Sequence, residues 1–285
     1  MTSVECGVLR TPRKETKKNM GVVKHIVKWV LNHVPRVAMQ RMAEVAVPVL
    51  GLFYAGRGRE CPICVARRRK FLPYGYVKVR ENALCPKCLS LERHRLLWLW
   101  LQRETTLLDG QDYPVLLHIA PEVCLKRKFE ERYVQAGQGE RYITADLESP
   151  LARLHFDVQA IPLADESVDV LICNHLLEHV ENEGKALAEF RRILRRGGWG
   201  ILLAPVDLNR ATTNEDDGTA TPEERTRRFG QYDHHRAYGR DYAERLRRAG
   251  FRVEDIDYAA QLSAEERERY ALCGDHIYKI SVDSD

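Results

Sequence analysis

The stretch from Asp157 to Val180, DVQAIPLADESVDVLICNHLLEHV, constrains the chain most, because it sets a loop, a buried strand and a helix start in fixed order. Ser167-Val168-Asp169-Val170-Leu171-Ile172-Cys173 runs on with almost no polar interruption. That is the pattern of a strand covered by helices on both sheet faces, not of one with a wet side. The Asp165-Glu166-Ser167 turn starts it. Asn174 and His175 fall where the strand ends, and a polar pair at the carboxyl edge of a parallel sheet is where ligands of open α/β sheets sit. Leu176-Leu177-Glu178-His179-Val180 leads into the next helix.

From Tyr113 onward, strand and helix patterns alternate. Strands are expected at 114–119, 141–145, 154–156, 168–173, 199–204, 252–256 and 277–281. Helices are expected at 123–136, 181–196 and 239–249, with Gly197-Gly198 and Gly250 as stops. The alternation predicts an α/β fold with a mostly parallel seven-stranded sheet and helices on both faces.

Asp157, Pro162, Asp169, Leu177, Glu178 and His179 fit an ordered pattern: an Asp, a Leu-Pro-Phe-like loop, a Phe-Asp-x-Val-like strand and a Leu-Glu-His-like helix start. In this the chain resembles the Rossmann-like (class I) S-adenosylmethionine-dependent methyltransferases of the type 11 branch, over about Tyr113 to Ile280. The resemblance implies S-adenosylmethionine as cofactor and an antiparallel last strand, and is silent on the methyl acceptor.

The family opens its first strand-to-helix turn with glycines that let the backbone approach the cofactor. Here the turn is His118-Ile119-Ala120-Pro121-Glu122. Ala120 is small enough to stand in for the first glycine, while Pro121 and Glu122 depart from the pattern. Two readings stay open: Glu122 or His118 contacts the cofactor's ammonium, or the site is degenerate and the chain an inactive binding module. Asp146, followed by Leu147, ends the second strand, where a carboxylate accepts hydrogen bonds from both ribose hydroxyls. Asp157 and Val158 match the adenine position, and Asn174 and His175 face the sulfonium and the acceptor. His179 reads as a packed helix residue.

Methyl transfer from a sulfonium needs mainly alignment, with a base only for a poor nucleophile such as a hydroxyl. The polar loop 207–236 is expected to form the acceptor pocket. Within Phe229 to Gly239, His234 is the expected base by resemblance to related methyltransferases with an Asp-His pair ahead of an Arg and a Tyr-Gly. Tyr232 and Arg236 are expected to bind the acceptor, Arg236 as anchor for a carboxylate or phosphate. The acceptor class expected is a small molecule or saccharide, with O-methylation preferred.

Ahead of this domain, Cys61-Pro-Ile-Cys64 and Cys85-Pro-Lys-Cys88, with residues 65–84 between them, have the spacing of a four-thiolate zinc site. Four sulfurs close a tetrahedron and leave no position for catalysis, so the zinc is structural, in a small zinc-ribbon or rubredoxin-like module. The other cysteines, Cys6, Cys124, Cys173 and Cys273, read as ordinary thiols in a reducing, cytoplasmic compartment. Arg67-Arg68-Arg69-Lys70 followed by Phe71, Tyr74 and Tyr76 suits phosphates and bases. It keeps RNA as an alternative partner, the more so because certain ribosomal RNA guanine methyltransferases also place a four-ligand zinc module ahead of a class I domain. The net charge of +4 is too mild to require nucleic acid.

The expected boundaries are a disordered tail at 1–19, a helical segment at 20–56, the zinc module with its linking helix at 57–110, and the methyltransferase domain at 111–285. The longest apolar run, Val45 to Ala55, is interrupted by Pro48 and Gly51 and is too short to span a bilayer, which takes about 20 residues. No apolar core precedes a small-residue cleavage site, so no secretory signal is expected.

Overall fold

A computed structural model describes residue 49 and residues 51–75, 79–109 and 113–284. The expected tail and nearly all of the expected N-terminal helical segment lie outside these. The described residues fall into two units, one running to Leu96 and including Leu262–Gly274, the other made of Leu97–Gln261 and the residues from Asp275 on.

The first unit holds two small antiparallel pairs: β1 (Ala55–Glu60) with β2 (Arg67–Arg68), and β3 (Leu72–Tyr74) with β4 (Arg80–Leu84). The helix Ala264–Tyr270 belongs to it, started by a capping box between Ser263 and Glu266. Arg269 of that helix reaches Glu60 at 2.8 Å and Glu268 reaches Arg59 at 3.1 Å.

The second unit is a seven-stranded sheet. Its strands are β5 (Leu116–Ile119), β6 (Tyr142–Asp146), β7 (Leu154–His155), β8 (Val168–Asn174), β9 (Leu194–Leu203), β12 (Arg252–Ile256) and β13 (Ile277–Ser281), in the order β12-β13-β9-β8-β5-β6-β7. Adjacent strands from β7 to β9 pair in parallel, and β13 runs antiparallel to both β9 and β12. This is the expected Rossmann-like architecture. β8 is buried at every position but Asp169, as its unbroken apolar run requires. Gly200 permits the close approach of β9, since a Cβ there would lie 2.9 Å from the Leu171 carbonyl oxygen.

Helices Val123–Gln135, Glu183–Ile193 and Tyr242–Arg248 cover the sheet. Asn182 caps the second of these through the Lys185 amide, and its Leu187, Phe190 and Ile193 enter the core with Leu171, Leu202 and Leu246. The segment expected as an acceptor loop contains structure of its own. A short strand β10 (Asn214–Glu215) pairs with β11 (Arg236–Ala237), and between them runs the helix Pro222–Phe229, stopped by Gly230 in the left-handed conformation. Among the described residues no helix is long and apolar enough to cross a membrane.

Candidate active site

The carboxyl edges of β5, β6 and β8 gather the expected cofactor residues. After β5 the chain turns at Ala120, whose φ of +50° is left-handed. That conformation is one glycine adopts without cost and an L-residue such as alanine adopts at a penalty of about 1 to 2 kcal/mol. The turn is held by the Ala120 amide donating to the Ala145 carbonyl at 2.8 Å. Pro121 is buried beside it, and Glu122 caps the following helix without a side-chain capping bond.

Glu122 instead turns inward. Its Oε2 lies 2.9 Å from His118 Nε2 and its Oε1 accepts from Asn174 Nδ2 at 3.0 Å. His118, fully buried, has Nδ1 2.9 Å from Tyr142 Oη. Burial pushes the Tyr142 phenol well above its ordinary range, so its O–H donates to Nδ1 while Nε2–H donates to Glu122. Asn174 Oδ1 is buried with no hydrogen-bond partner. A carboxylate beside an orphaned acceptor suits an ammonium group, the part of S-adenosylmethionine that the missing glycines leave unaccounted for.

On β6, Asp146 Oδ1 accepts from the amides of Glu148 and Ser149 at 2.9 and 2.8 Å, which fixes the orientation of the carboxylate. Leu147 beside it is 64% exposed, an apolar face available to a base. Val158 is buried, whereas Asp157 is exposed and holds Gln159 through its backbone and side-chain amides. These donor and acceptor types fit the cofactor, which would be held by Glu122, Asn174 and Asp146.

Beyond Asn174, His175 takes a left-handed φ of +52° and faces Glu178, with Nδ1 3.4 Å from Oε1. Burial raises the Glu178 pKa, but the hydrogen bond and charge of His175 outweigh it and hold the carboxyl below its usual range. His234 comes to the same place from the segment ahead of β11. Its Nδ1 lies 3.2 Å from the Phe229 carbonyl, so Nδ1–H donates there and Nε2 carries a free lone pair. Burial and the neighbouring His179 both lower its pKa. His179, read from sequence as a packed helix residue, instead lies edge-on to His234 and 3.2 Å from Asp233. Glu178, His179 and Asp233 are members of this cluster that the sequence reading missed. The one signal for them was the pairing of Glu-His after β8 with Asp-His in a later segment.

Arg236 is not available as an acceptor anchor. Its guanidinium is 1% exposed and donates to Glu215 Oε1 at 2.8 Å, to the carbonyls of Val180 and Glu181 at 2.6 and 3.0 Å, and to that of Leu177. A basic side chain in a polar loop reads as a ligand-binding group, but here it satisfies the carbonyl ends of the turn that carries Glu178 and His179. Tyr232 stands 62% exposed.

In the first unit, Cys61, Cys64, Cys85 and Cys88 come together as one cluster that could hold a metal ion. The Sγ atoms of Cys61 and Cys88 are 3.6 Å apart and those of Cys64 and Cys85 3.7 Å, close to the edge of a tetrahedron with metal–sulfur bonds of about 2.3 Å. Each knuckle closes by the same backbone bond, Val65 N to Cys61 O at 2.8 Å and Leu89 N to Cys85 O at 3.0 Å, with Val65 and Leu89 left-handed. Of the other cysteines, Cys124 and Cys173 are buried thiols, while Cys273 is disulfide-bonded, contrary to its reading as an ordinary thiol.

The methyltransferase-domain family matches residues 124–202, from the helix after the Ala120 turn to β9. Over 50 residues the chain is 42% identical to a malonyl-[acyl-carrier protein] O-methyltransferase of Xylella fastidiosa (strain M23), a match spanning 18% of this chain and 17% of that protein. Among solved structures, a complex between the Haloferax volcanii Trm112 methyltransferase activator and a methyltransferase aligns with a TM-score of 0.45 at 16% identity, covering 67% of this chain and 91% of that one. An S-adenosylmethionine-dependent methyltransferase of Archaeoglobus fulgidus aligns at 0.38 and 15%, covering 68% and 95%. The segment from the helix after the Ala120 turn to β9 thus matches a methyltransferase domain, and it lies within a seven-stranded, mostly parallel sheet of the Rossmann-like α/β type.

Proposed function

We propose that the chain transfers methyl groups from S-adenosylmethionine to a hydroxyl of a small-molecule or saccharide acceptor. The observation that carries this reading is the pairing, at one sheet edge, of the Glu122 and Asn174 acceptors with the free Nε2 of His234. When bound, the cofactor supplies an electrophilic methyl on a positively charged sulfur. Glu122 and Asn174 hold its ammonium, and Asp146 its ribose. His234 activates the acceptor oxygen through its Nε2 lone pair, kept free by the bond from Nδ1 to Phe229. The short match to an O-methyltransferase agrees with oxygen as the target.

The four cysteines bind one structural zinc ion. Arg95 supports this: it is fully buried and donates only to carbonyls, those of Tyr270, Ala83, Ser90, Asn82 and Ala271. A buried cation needs a nearby negative charge, and four thiolates around a divalent ion carry a net charge of about −2.

RNA remains the second reading, for Arg67, Arg69 and Lys70 are exposed although Arg67 pairs with Glu60 at 3.1 Å and Arg69 and Lys70 lie over the Tyr54 ring. Methyl-labelled cofactor incubated with pools of small hydroxylated metabolites and, separately, with bulk RNA tests the assignment. Label is expected in the metabolite pool. Label in RNA alone would reassign the acceptor, and label in neither would leave a binding module.

A further inference from the structure

Cofactor binding leaves the cluster after β8 unexplained. Glu178, His179 and His234 each present one donor atom, and the three atoms lie within 4.8 Å of one another. Glu178 is 1% and His234 5% exposed, yet Glu178 Oε2 and His234 Nε2 have no hydrogen-bond partner. Buried polar atoms are nearly always satisfied. These two cannot satisfy each other, since a carboxylate oxygen and an imidazole lone pair are both acceptors. What both lack is a positive partner.

One atom on each of the three side chains is already held. Glu178 Oε1 meets His175 Nδ1 at 3.4 Å, His234 Nδ1 meets the Phe229 carbonyl at 3.2 Å, and His179 Nδ1 meets Asp233 Oδ2 at 3.2 Å. Outer partners of this kind orient the ligands of protein metal sites. Asp233 Oδ1, also buried and unpartnered, adds a further oxygen beside them.

We propose that Glu178, His179 and His234 bind one divalent first-row metal ion of the zinc and manganese class. Two imidazoles and a carboxylate suit such an ion and leave coordination positions open, unlike the closed set of four cysteines. The role of the ion rests on the methyltransferase reading; its binding does not. Coordination takes up the Nε2 lone pair of His234, so with the ion bound an acceptor hydroxyl would be activated by the metal and lose its proton to solvent, and His234 would serve as base only in the ion-free protein. The oxygen lone pair then forms the bond to the methyl carbon as the carbon–sulfur bond breaks, its electron pair staying on sulfur.

The test is titration of the full-length, chelator-treated protein with Mn²⁺, an ion poorly suited to thiolates, reading free Mn²⁺ by electron paramagnetic resonance. One Mn²⁺ per chain is expected on the wild type, displaced by Zn²⁺. Glu178→Gln and His234→Gln should each weaken binding by at least about 100-fold, and Asp233→Asn by about 10-fold. A wild type that leaves Mn²⁺ free and takes up no zinc beyond one ion per chain would overturn the proposal, as would unchanged binding in both ligand variants. Cofactor calorimetry on the same samples separates the two readings: cofactor binding without the ion sinks this inference alone, and ion binding without cofactor sinks the methyltransferase reading alone.

Discussion

The imidazole rings of His179 and His234 meet edge to face, with centroids 4.6 Å apart and planes at 86°, one from the turn after β8 and the other from the segment ahead of β11. The contact brings the late segment onto the carboxyl edge of the sheet, and the His235 amide, donating to the Glu178 carbonyl at 2.7 Å, pins it there. The proposed acceptor activation therefore draws on two stretches of chain that only folding unites.

Replacing His234 removes the side chain proposed to activate the acceptor without touching Glu122, Asn174 or Asp146. His234→Ala is expected to lower turnover by roughly 10² to 10⁴ while cofactor affinity stays nearly unchanged. Single-turnover kinetics with calorimetry on the same variant check it. Near-normal turnover would leave alignment alone as the source of rate.

Arg236 serves the same edge by holding it together. Arg236→Lys keeps the charge but loses the planar fork that reaches Glu215 and three carbonyls, so a loss of about 2 to 4 kcal/mol in stability is expected. Thermal unfolding measures it. An unchanged melting temperature with a raised acceptor KM would restore its role as an anchor.

The sheet was legible because its central strands are buried on both faces, so that Val168 to Cys173 carries no polar break to mistake for a turn. The polar carboxyl edge proposed to hold the cofactor was legible through Asp146 and the Asn174-His175 pair, which fall at strand ends whatever the exact boundaries. Arg236 was misread because sequence gives the charge of a side chain but not its depth. The helix Ala264–Tyr270 shows a clear capping box, yet nothing in it announces that Arg269 pairs with Glu60 in the cysteine unit. The orphaned atoms of Glu178 and His234 are a property of packing, and periodicity does not reveal packing.

Arg95 joins that distant helix to the second cysteine knuckle. Arg95→Ala orphans several buried carbonyls at once, and a destabilisation of about 3 kcal/mol or more is expected. It should appear as an earlier denaturant transition together with faster zinc release to a chelator. Unaltered zinc retention and midpoint would show that the buried charge is not coupled to the metal cluster.

Zinc itself should be present at one ion per chain on the cysteines, and a Cys61→Ser/Cys88→Ser variant should lose it. Elemental analysis of protein purified without chelator decides this. A cysteine site with no metal, or the same metal content in the variant, would contradict the assignment.

The central claim is that Glu122, Asn174 and Asp146 form a working cofactor site despite the missing glycines, and isothermal calorimetry with S-adenosylmethionine tests it most directly. One site per chain is predicted for the wild type, with Asp146→Ala weaker by about 1.5 to 3 kcal/mol through loss of a hydrogen-bonded carboxylate. No binding heat in the wild type, or an Asp146→Ala variant that binds as tightly, would contradict the account.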